Sequence, residues 1–390
     1  MSERINCENK RICYYITGHG FGHLTRCAEI LFAILRYGYN PSQIDIVSNL
    51  DVSLLKYTIH EDINVFSRLL DTGAIQSNAL AVDPLASLQA YYNKIYLNHD
   101  TLLLQEISFL RERQTTWVLV DATPIACHAA AKVGIPSIII SNFTWCYIYR
   151  EMVDMANTLI PDNNTEDTPN ESIEGDIRSW NDMIQSIEND YSHASAYYLL
   201  PGATPTPTPP SSPLKHLYTV AAPLVGRGPR RAEREVRAEL GVGPVPRLIL
   251  LGFGGQSSEW RLREEYVPPG FVCVVLGSTL QEVPERSEKY IYTARDVYVP
   301  DILQACDVLI GKLGYGTLSE CIISKTALIY ISRSGWPEER WLEKEIRERE
   351  SGIELEREKF IRGEWEDKIK EGCEITKRMR ERERERENVT

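Results

Sequence analysis

The sequence predicts an α/β protein with two domains in tandem, and three observations support this prediction. Short apolar runs alternate with helical periodicity in the first half of the chain, and the same alternation restarts in the second half. A glycine-rich turn also follows the first apolar run of each half. Alternating strands and helices indicate a parallel sheet covered by helices on both faces. We therefore expect one such sheet in each domain.

Composition limits the class of protein. The chain has 390 residues, of which 43% are hydrophobic and 25% charged, which suits two or three globular domains. The formal net charge of −12 argues against a nucleic-acid partner, because neutralising phosphates requires a basic face. The polar first ten residues predict no signal peptide, and no apolar run is long enough for a transmembrane helix. Nine scattered cysteines without C-x-x-C spacing are typical of reduced thiols in a cytoplasmic protein.

The apolar pattern places the elements of each half. In the first half it predicts strands over 11–17, 44–48, 117–120 and 137–140, and helices from residue 24, over 80–110 and over 126–132. In the second half it predicts strands over 247–251, 271–276, 289–292, 308–310 and 327–331, and a charged helix over 338–350.

Polar and proline-rich segments divide the chain. Residues 161–176 lack periodicity and predict a surface loop, and residues 201–213 are too rich in proline for a helix or a central strand. We expect an N-terminal domain over 1–222 and a C-terminal domain over 223–375. The arginine–glutamate alternation in 376–390 places like charges four residues apart, and we expect a charged, disordered tail there.

The first glycine-rich motif, G-H-G-F-G-H, lies between a strand and a helix. Gly18, Gly20 and Gly22 would let a ligand approach the backbone, and the N-terminus of the helix favours an anion. The alternative is a plain tight turn. His19 and His23 are spaced like a pair of metal ligands, but no carboxylate or third ligand has matching spacing, so no metal site is expected.

A second glycine-rich motif, G-K-L-G-Y-G-T-L-S-E, also follows a strand and begins a helix. Backbone amides at Gly314 and Gly316 would face a diphosphate, and the Thr317 hydroxyl could add a donor. Glu320 lies about 6 Å further along the helix axis than Gly316, where a carboxylate could bind ribose hydroxyls. The alternative is a helix that begins with glycines for close packing. The motif is not a Walker loop, because no Gly-Lys-[Ser/Thr] ends it.

Four other positions are candidates. Gly254 and Gly255 belong to the turn after the first strand of the second half, where the alternative is a structural turn. Asp121 ends a predicted buried strand and could orient a hydroxyl or bind a histidine, but it could also cap the next helix. Glu339 in W-P-E-E could bind hydroxyls of a ligand, although acidic residues are also common where a helix begins.

Together these segments resemble the GT-B glycosyltransferases. The likeness is strongest to the N-terminal glycosyltransferase-like region of plant L-arabinokinases and its stand-alone relatives, and weaker to the bacterial peptidoglycan N-acetylglucosaminyltransferase. It covers roughly residues 11–370. The segments that carry it are Y-Y-I-T-G-H-G-F-G-H-L-T-R, D-T-G-A-I-Q-S-N-A-L-A-V-D, S-N-F-T-W, F-G-G-Q and G-K-L-G-Y-G-T-L-S-E.

The resemblance implies two Rossmann-like domains that face each other across a cleft. It also implies transfer of a sugar from a nucleotide-diphosphate sugar, expected to be a UDP-sugar, to an unidentified acceptor hydroxyl, without a metal or other cofactor. A non-catalytic nucleotide-sugar-binding module and a nucleotide-sugar epimerase are the alternatives, because fold does not determine function.

The resemblance also assigns roles to single residues. The second glycine-rich motif would hold the diphosphate, Glu320 the ribose, and Glu339 would lie near the donor sugar. His23 would be the catalytic base, oriented by Asp121, with His19 as the alternative base.

Overall fold

A computed structural model describes residues 10–50, 60–78, 80–158, 170–206, 212–253, 262–277, 287–293 and 297–387. The chain divides into two compact units. The first unit comprises Met1–Ile75, Val82–Val225 and Gly335–Glu338, and the second comprises Gln76–Ala81, Gly226–Ser334 and Glu339–Thr390. The main division after Val225 lies close to the predicted one at 222/223. Two short segments are exceptions, because Gln76–Ala81 belongs to the second unit and Gly335–Glu338 to the first.

The first part of the chain alternates strands and helices. Its elements are β1 (Ile12–Tyr15), α1 (Phe21–Arg36), β2 (Ile44–Ser48), β3 (Asn64–Ser67), β4 (Gln76–Asn78), β5 (Ala81–Val82), α2 (Pro84–Lys94), α3 (His99–Glu112), β6 (Trp117–Val120), α4 (Ile125–Val133), β7 (Ser137–Ser141), α5 (Trp145–Thr158), α6 (Asn170–Ser192), β8 (Ala196–Leu199) and β9 (Thr219–Ala221).

Seven of these strands form a parallel sheet in the order β3-β2-β1-β6-β7-β8-β9. The chain moves outwards from β1 to β3 and then returns to place β6 on the other side of β1. Such a reversal is the topological switch point of a doubly wound sheet, and ligands bind there, beyond the carboxyl ends of the strands. The segments that follow β1 and β6 therefore meet at one edge of the sheet.

The second part repeats this plan. Its elements are α7 (Glu233–Glu239), β10 (Arg247–Gly252), β11 (Phe271–Val275), β12 (Tyr290–Tyr292), α8 (Val299–Ala305), β13 (Val308–Lys312), α9 (Tyr315–Ser324), β14 (Ala327–Ile331), α10 (Glu339–Glu348), β15 (Gly352–Glu354), α11 (Arg357–Arg362) and α12 (Glu366–Glu387). Six parallel strands have the order β12-β11-β10-β13-β14-β15. The switch point lies between β10 and β13.

Each sheet has its own apolar core. In the first unit, Ile12, Tyr14, Ile44 and Ile46 pack against the inner face of α1. The apolar residues on that face produce the helical periodicity that the sequence shows from residue 24. In the second unit, the strand residues pack against α11 and α12, where Trp365 is among the largest buried side chains. None of the helices in the described ranges is long and apolar enough to span a membrane.

Two expectations about irregular segments are wrong for the residues of those segments that the structure describes. The predicted surface loop over 161–176 overlaps helix α6, which begins at Asn170, and residues 159–169 lie outside the described ranges. The predicted disordered tail from residue 376 is instead helical, because α12 continues to Glu387. This helix has a buried face, on which Ile369, Cys373 and Met379 pack against the rest of the second unit. The alternating charges that follow in the sequence give no indication of that face.

Thr376 anchors this terminal helix. Its hydroxyl donates to the Asp307 carbonyl at 2.5 Å and accepts the Ala327 N–H at 2.8 Å. One turn later, the Arg380 guanidinium donates to the carbonyl oxygens of Gln304 and Cys306 at 3.0 and 2.9 Å. The helix therefore satisfies backbone groups at the ends of α8, β13 and β14.

We expect Thr376→Val to lower the free energy of unfolding by about 1–3 kcal/mol, because it leaves the buried Ala327 N–H without an acceptor. Urea unfolding measures the change. Glu381→Ala, at an exposed position of the same helix, is the matched control and should change stability by less than about 0.5 kcal/mol. A disordered tail would make both substitutions neutral.

Candidate functional site

The turn between β1 and α1 has a shape that depends on glycine. Gly20 precedes α1 with φ 94° and ψ 169°, a conformation that residues with a Cβ rarely adopt. Gly18 lies against the side chain of Asn49, with no room for a Cβ. Gly22 is the second residue of α1. The turn therefore places His19 before the helix and His23 within its first turn.

His23 and Asp121 meet at the switch point of the first sheet. Asp121 directly follows β6, and His23 lies in the first turn of the helix that follows β1. His23 Nδ1 is 2.7 Å from Asp121 Oδ2, and both side chains are buried. The structure thus brings together two of the three residues for which the sequence predicts catalytic roles.

Arg26, which the sequence analysis missed, completes this cluster from the next turn of α1. Its Nε donates to Asp121 Oδ1 at 3.0 Å, and its Nη2 donates to the same oxygen. Its Nη1 donates to Asn142 Oδ1 at 2.5 Å, and Nη2 also lies 3.1 Å from Ser141 Oγ. Arg26 follows His23 by three residues, and residues with this spacing share a helix face, so the sequence indicates that the two side chains lie close together.

The contacts of Arg26 assign the hydrogen on His23. Arg26 Nη2 also lies 2.8 Å from His23 Nδ1, but its two hydrogens are used by Asp121 and Ser141. His23 Nδ1 therefore carries a hydrogen that it donates to Asp121, which leaves Nε2 as the nitrogen with a lone pair. Burial raises the pKa of the Asp121 carboxyl, but Arg26 and His23 outweigh this effect and lower the pKa to about 2. Asp121 is thus an anion at neutral pH.

His19 is bound differently. Its Nδ1 accepts the Ala74 N–H at 3.0 Å, so a neutral ring carries its hydrogen on Nε2. The ring stacks on Trp336 with centroids 4.6 Å apart and meets Trp145 edge-on at 5.4 Å. With its lone pair already engaged, His19 is a weaker candidate for a base than His23.

A buried polar chain supports these aromatic residues. Asn142 Nδ2 donates to Glu338 Oε1 at 2.6 Å, and Trp336 Nε1 donates to Glu338 Oε2 at 2.6 Å. Both carboxylate oxygens of Glu338 are therefore engaged within the first unit. Asn142 links Glu338 to Arg26, so the chain continues to Asp121 and His23. Glu338 and Asn142 are 196 residues apart in sequence, and no local pattern could have paired them.

Asp71 joins the segments that follow three strands. It accepts hydrogen bonds from the hydroxyls of Thr17 and Thr123 at 2.8 and 3.0 Å. Burial raises the pKa of its carboxyl, and the two threonine hydroxyls oppose this effect. Thr17 follows β1 and Thr123 follows Asp121, so Asp71 fixes the backbone on both sides of the histidine–aspartate pair.

In the second unit, the second glycine-rich motif lies where the sequence predicts it. Gly314 precedes α9 in an extended conformation, no side chain caps the helix there, and a Cβ on Gly314 would meet nothing within 4 Å. Gly316 and Thr317 lie in the first turn, whose backbone N–H groups have no partner within a helix. Gly311 is required by packing, because a Cβ there would clash with the Gly252 carbonyl oxygen. An anion can bind at such a helix N-terminus.

Glu320 lies on α9 and is held by Arg227, another residue that the sequence analysis missed. Arg227 Nε donates to Glu320 Oε1 at 2.7 Å, and both side chains are largely buried. Burial raises the pKa of the Glu320 carboxyl, and Arg227 opposes this effect. The Arg227 guanidinium also lies 5.2 Å from the centre of the Tyr298 ring. The carboxylate therefore has a fixed orientation.

Glu339 is also bound by an arginine. It accepts the Arg333 N–H at 2.7 Å and pairs with Arg333 Nε at 2.8 Å. Burial raises the pKa of the Glu339 carboxyl to about 7 against the opposing effect of Arg333. Both of its oxygens are engaged inside the second unit, and a contact with a ligand stays a prediction. Gly254 and Gly255 lie outside the described residues.

Comparison with known proteins identifies the fold. No family model matches the chain. L-arabinokinase of Arabidopsis thaliana is 32% identical over 370 residues, which are 93% of this chain and 32% of that protein. The chain thus spans about a third of the length of this relative.

Solved glycosyltransferases share the architecture at low sequence identity. A kitacinnamycin glycotransferase is 14% identical with a TM-score of 0.61, covering 95% of this chain and 92% of that one. VinC in complex with dTDP is 14% identical with a TM-score of 0.55, covering 95% and 94%. UGT2 of Phytolacca americana, complexed with UDP-2-fluoro-glucose and pterostilbene, is 10% identical with a TM-score of 0.56, covering 95% and 94%. The chain has the GT-B fold, with two Rossmann-like domains.

We expect Asp121→Asn to destabilise the protein at pH 7 by about 3–5 kcal/mol, because the buried Arg26 guanidinium loses its anion. The folded carboxyl has a pKa of about 2 against an ordinary value of 3.8. Its stabilisation is therefore complete above pH 4 and is lost as the pH falls towards 2.

The difference in stability between the wild type and Asp121→Asn should consequently shrink by about 1 kcal/mol from pH 5 to pH 3. Urea unfolding of both proteins at the two pH values measures this change. A difference that stays constant or grows on acidification would show that Asp121 does not titrate as described.

Proposed function

We propose that the protein is a glycosyltransferase that moves a sugar from a nucleotide-diphosphate sugar, expected to be a UDP-sugar, to an acceptor hydroxyl. The observation that carries this proposal is the buried His23–Asp121 pair, in which Nδ1 lies 2.7 Å from the carboxylate. With Nδ1 donating to Asp121, the neutral ring would have its lone pair on Nε2. The GT-B fold supports it, and two of the solved neighbours hold dTDP or a UDP-sugar analogue.

His23 would act as the general base. As the acceptor oxygen attacks the anomeric carbon of the donor, its proton passes to His23 Nε2, and the bond from the sugar to the diphosphate breaks. The Asp121 anion stabilises the imidazolium that forms, and Arg26 keeps that anion in place. Because Nδ1 of His19 already accepts the Ala74 N–H, we assign the base to His23.

The second unit would hold the donor. The diphosphate would accept hydrogen bonds from backbone N–H groups at Gly314 and Gly316 and from the Thr317 hydroxyl, and Glu320 would bind the ribose. The N-terminus of α9 carries about half an elementary positive charge, which stabilises the leaving diphosphate without a metal ion. Arg227 would orient Glu320, since it holds one carboxylate oxygen and leaves the other towards the ribose.

We also propose that the protein works in a reducing compartment such as the cytoplasm. All eight cysteines in the described ranges are buried free thiols. Buried thiols that form no disulfide are typical of proteins from reducing compartments.

We expect His23→Ala to lower the rate of sugar transfer by about 10²–10⁴-fold, the usual contribution of a general base. Donor affinity should change little, because the proposed donor contacts lie in the second unit. Turnover and calorimetric affinity for UDP are measured on the same folded variant, with His19→Ala as the comparison.

Three results would change this assignment. A larger loss of rate in His19→Ala than in His23→Ala would move the base to His19. A wild type that binds nucleotide-sugars but transfers none with any donor would indicate a binding module. A changed sugar on the recovered nucleotide would indicate an epimerase.

We expect Glu320→Gln to weaken UDP binding by about tenfold or more, because hydrogen bonds to a charged group contribute about 1.5–3 kcal/mol. The amide oxygen can still accept from Arg227, but the buried guanidinium loses its anion, so the variant should be less stable than the wild type. Thermal unfolding establishes that it is folded at the temperature of the binding measurement. Glu348→Gln on the exposed face of α10 is the matched control. Unchanged affinity in Glu320→Gln would remove this carboxylate from the nucleotide site.

A further inference from the structure

A second polar cluster lies in the first unit, apart from the residues around His23. Its members come from three helices, with His99 in α3, His128 in α4 and Asp190 in α6. His99 Nε2 lies 2.9 Å from Asp190 Oδ2, and His128 Nδ1 lies 2.9 Å from Asp190 Oδ1. One ligand atom from each residue lies within 4.8 Å of the other two.

We propose that His99, His128 and Asp190 bind one divalent transition-metal ion of the zinc type. Imidazole nitrogen and carboxylate oxygen are ligands that Zn²⁺ uses, with bonds of about 2.0–2.2 Å. In a tetrahedral site, such bonds separate neighbouring ligand atoms by about 3.3 Å. The observed separations between histidine and aspartate are a few tenths of an ångström shorter, so a small outward shift of the rings makes room for the ion.

Burial and access both suit an ion at this place. The Asp190 side chain is only 2% exposed, and a carboxylate so deeply buried requires a cation or strong donors. The side chains of His99 and His128 are 18% and 12% exposed, which leaves a path from solvent. Water would complete the coordination sphere.

A carboxylate lies beside the ring nitrogen of His99 that would not bind the metal. His99 Nδ1 lies 3.5 Å from Asp100 Oδ1, on the side of the ring opposite the proposed metal ligand. A carboxylate at this position favours the tautomer with the hydrogen on Nδ1, which leaves Nε2 to bind the metal. His128 stacks on His193 with ring centroids 4.4 Å apart, and Lys132 on α4 adds a positive charge beside His193.

The ion would stabilise the packing of three helices and would take no part in sugar transfer. Tyr191, next to Asp190, donates to the Ala122 carbonyl at 2.5 Å and accepts the Trp145 N–H at 3.3 Å. Ala122 directly follows Asp121 in the chain. A metal that joins α3, α4 and α6 would therefore hold the end of α6 against the segment that carries Asp121. This inference does not depend on the proposed function.

The test is titration of the full chain with ZnCl₂ after removal of metal by chelator. We expect one Zn²⁺ per chain, and a loss of affinity of at least about a hundredfold in His99→Ala and in His128→Ala. Loss of a group that only hydrogen-bonds to a metal ligand already costs about 10–100-fold. His60→Ala is the matched control, since His60 is an exposed histidine that also lies beside an aspartate. Co²⁺ should give the visible absorption of a four-coordinate site in the wild type and in His60→Ala.

The two histidine variants could lose Zn²⁺ binding because they fail to fold, and Asp100→Asn tests the site without this problem, since the Asp100 side chain is fully exposed. It should weaken Zn²⁺ binding by about tenfold. Chelator should lower the thermal midpoint of the wild type, and Zn²⁺ should restore it. No stoichiometric Zn²⁺ binding, or equal binding in the wild type, His99→Ala and His128→Ala, would overturn the proposal and leave a hydrogen-bonded histidine–aspartate–histidine network.

Discussion

Asp121 is a fully buried carboxylate at the end of a central strand, and the first unit is arranged so that this anion stays charged. Arg26 supplies the compensating charge, but a buried guanidinium has five N–H donors that also need acceptors. Two of these acceptors are the side-chain oxygens of Ser141, the last residue of β7, and of Asn142, which follows it. The pair thus fixes the first turns of α1 relative to β6 and β7. Removing either partner leaves the other as an uncompensated buried charge, which is strongly destabilising.

This ion pair means that stability and the proposed chemistry share the same atoms. The carboxylate that holds the His23 ring in one orientation also anchors the helix from which His23 projects. The proposed base is therefore held in place by contacts within the protein, which do not require a ligand. In the second unit, the Arg227–Glu320 pair has a similar relation to α9, although there the arginine comes from a loop and not from the same helix.

Much of the fold could be predicted because a parallel sheet leaves a clear apolar pattern. β2, β6 and β14 begin and end where the sequence places them. The observed strand order places the segments after β1 and β6, which carry His23 and Asp121, at one edge of the sheet. Arg26 follows His23 by three residues, which places the two on one helix face, but this spacing does not separate a buried arginine from an exposed one. Arg227 lies 93 residues from Glu320 in sequence, and no local pattern pairs them. The terminal helix was missed because its buried residues all lie between Ile369 and Met379, so that no apolar residue marks the arginine–glutamate run that follows.

The assignment of Gly335–Glu338 to the first unit affects how such a protein can change during evolution. Glu338 accepts from Asn142 and Trp336 stacks on His19, yet both residues are encoded more than a hundred positions after the main division of the chain at Val225. A single recombination event at that division would combine one parent's Asn142 and His19 with the other parent's Trp336 and Glu338. The two halves of the chain therefore cannot be exchanged independently between relatives. A chimaera that folds would need Gly335–Glu338 from the same parent as its N-terminal half.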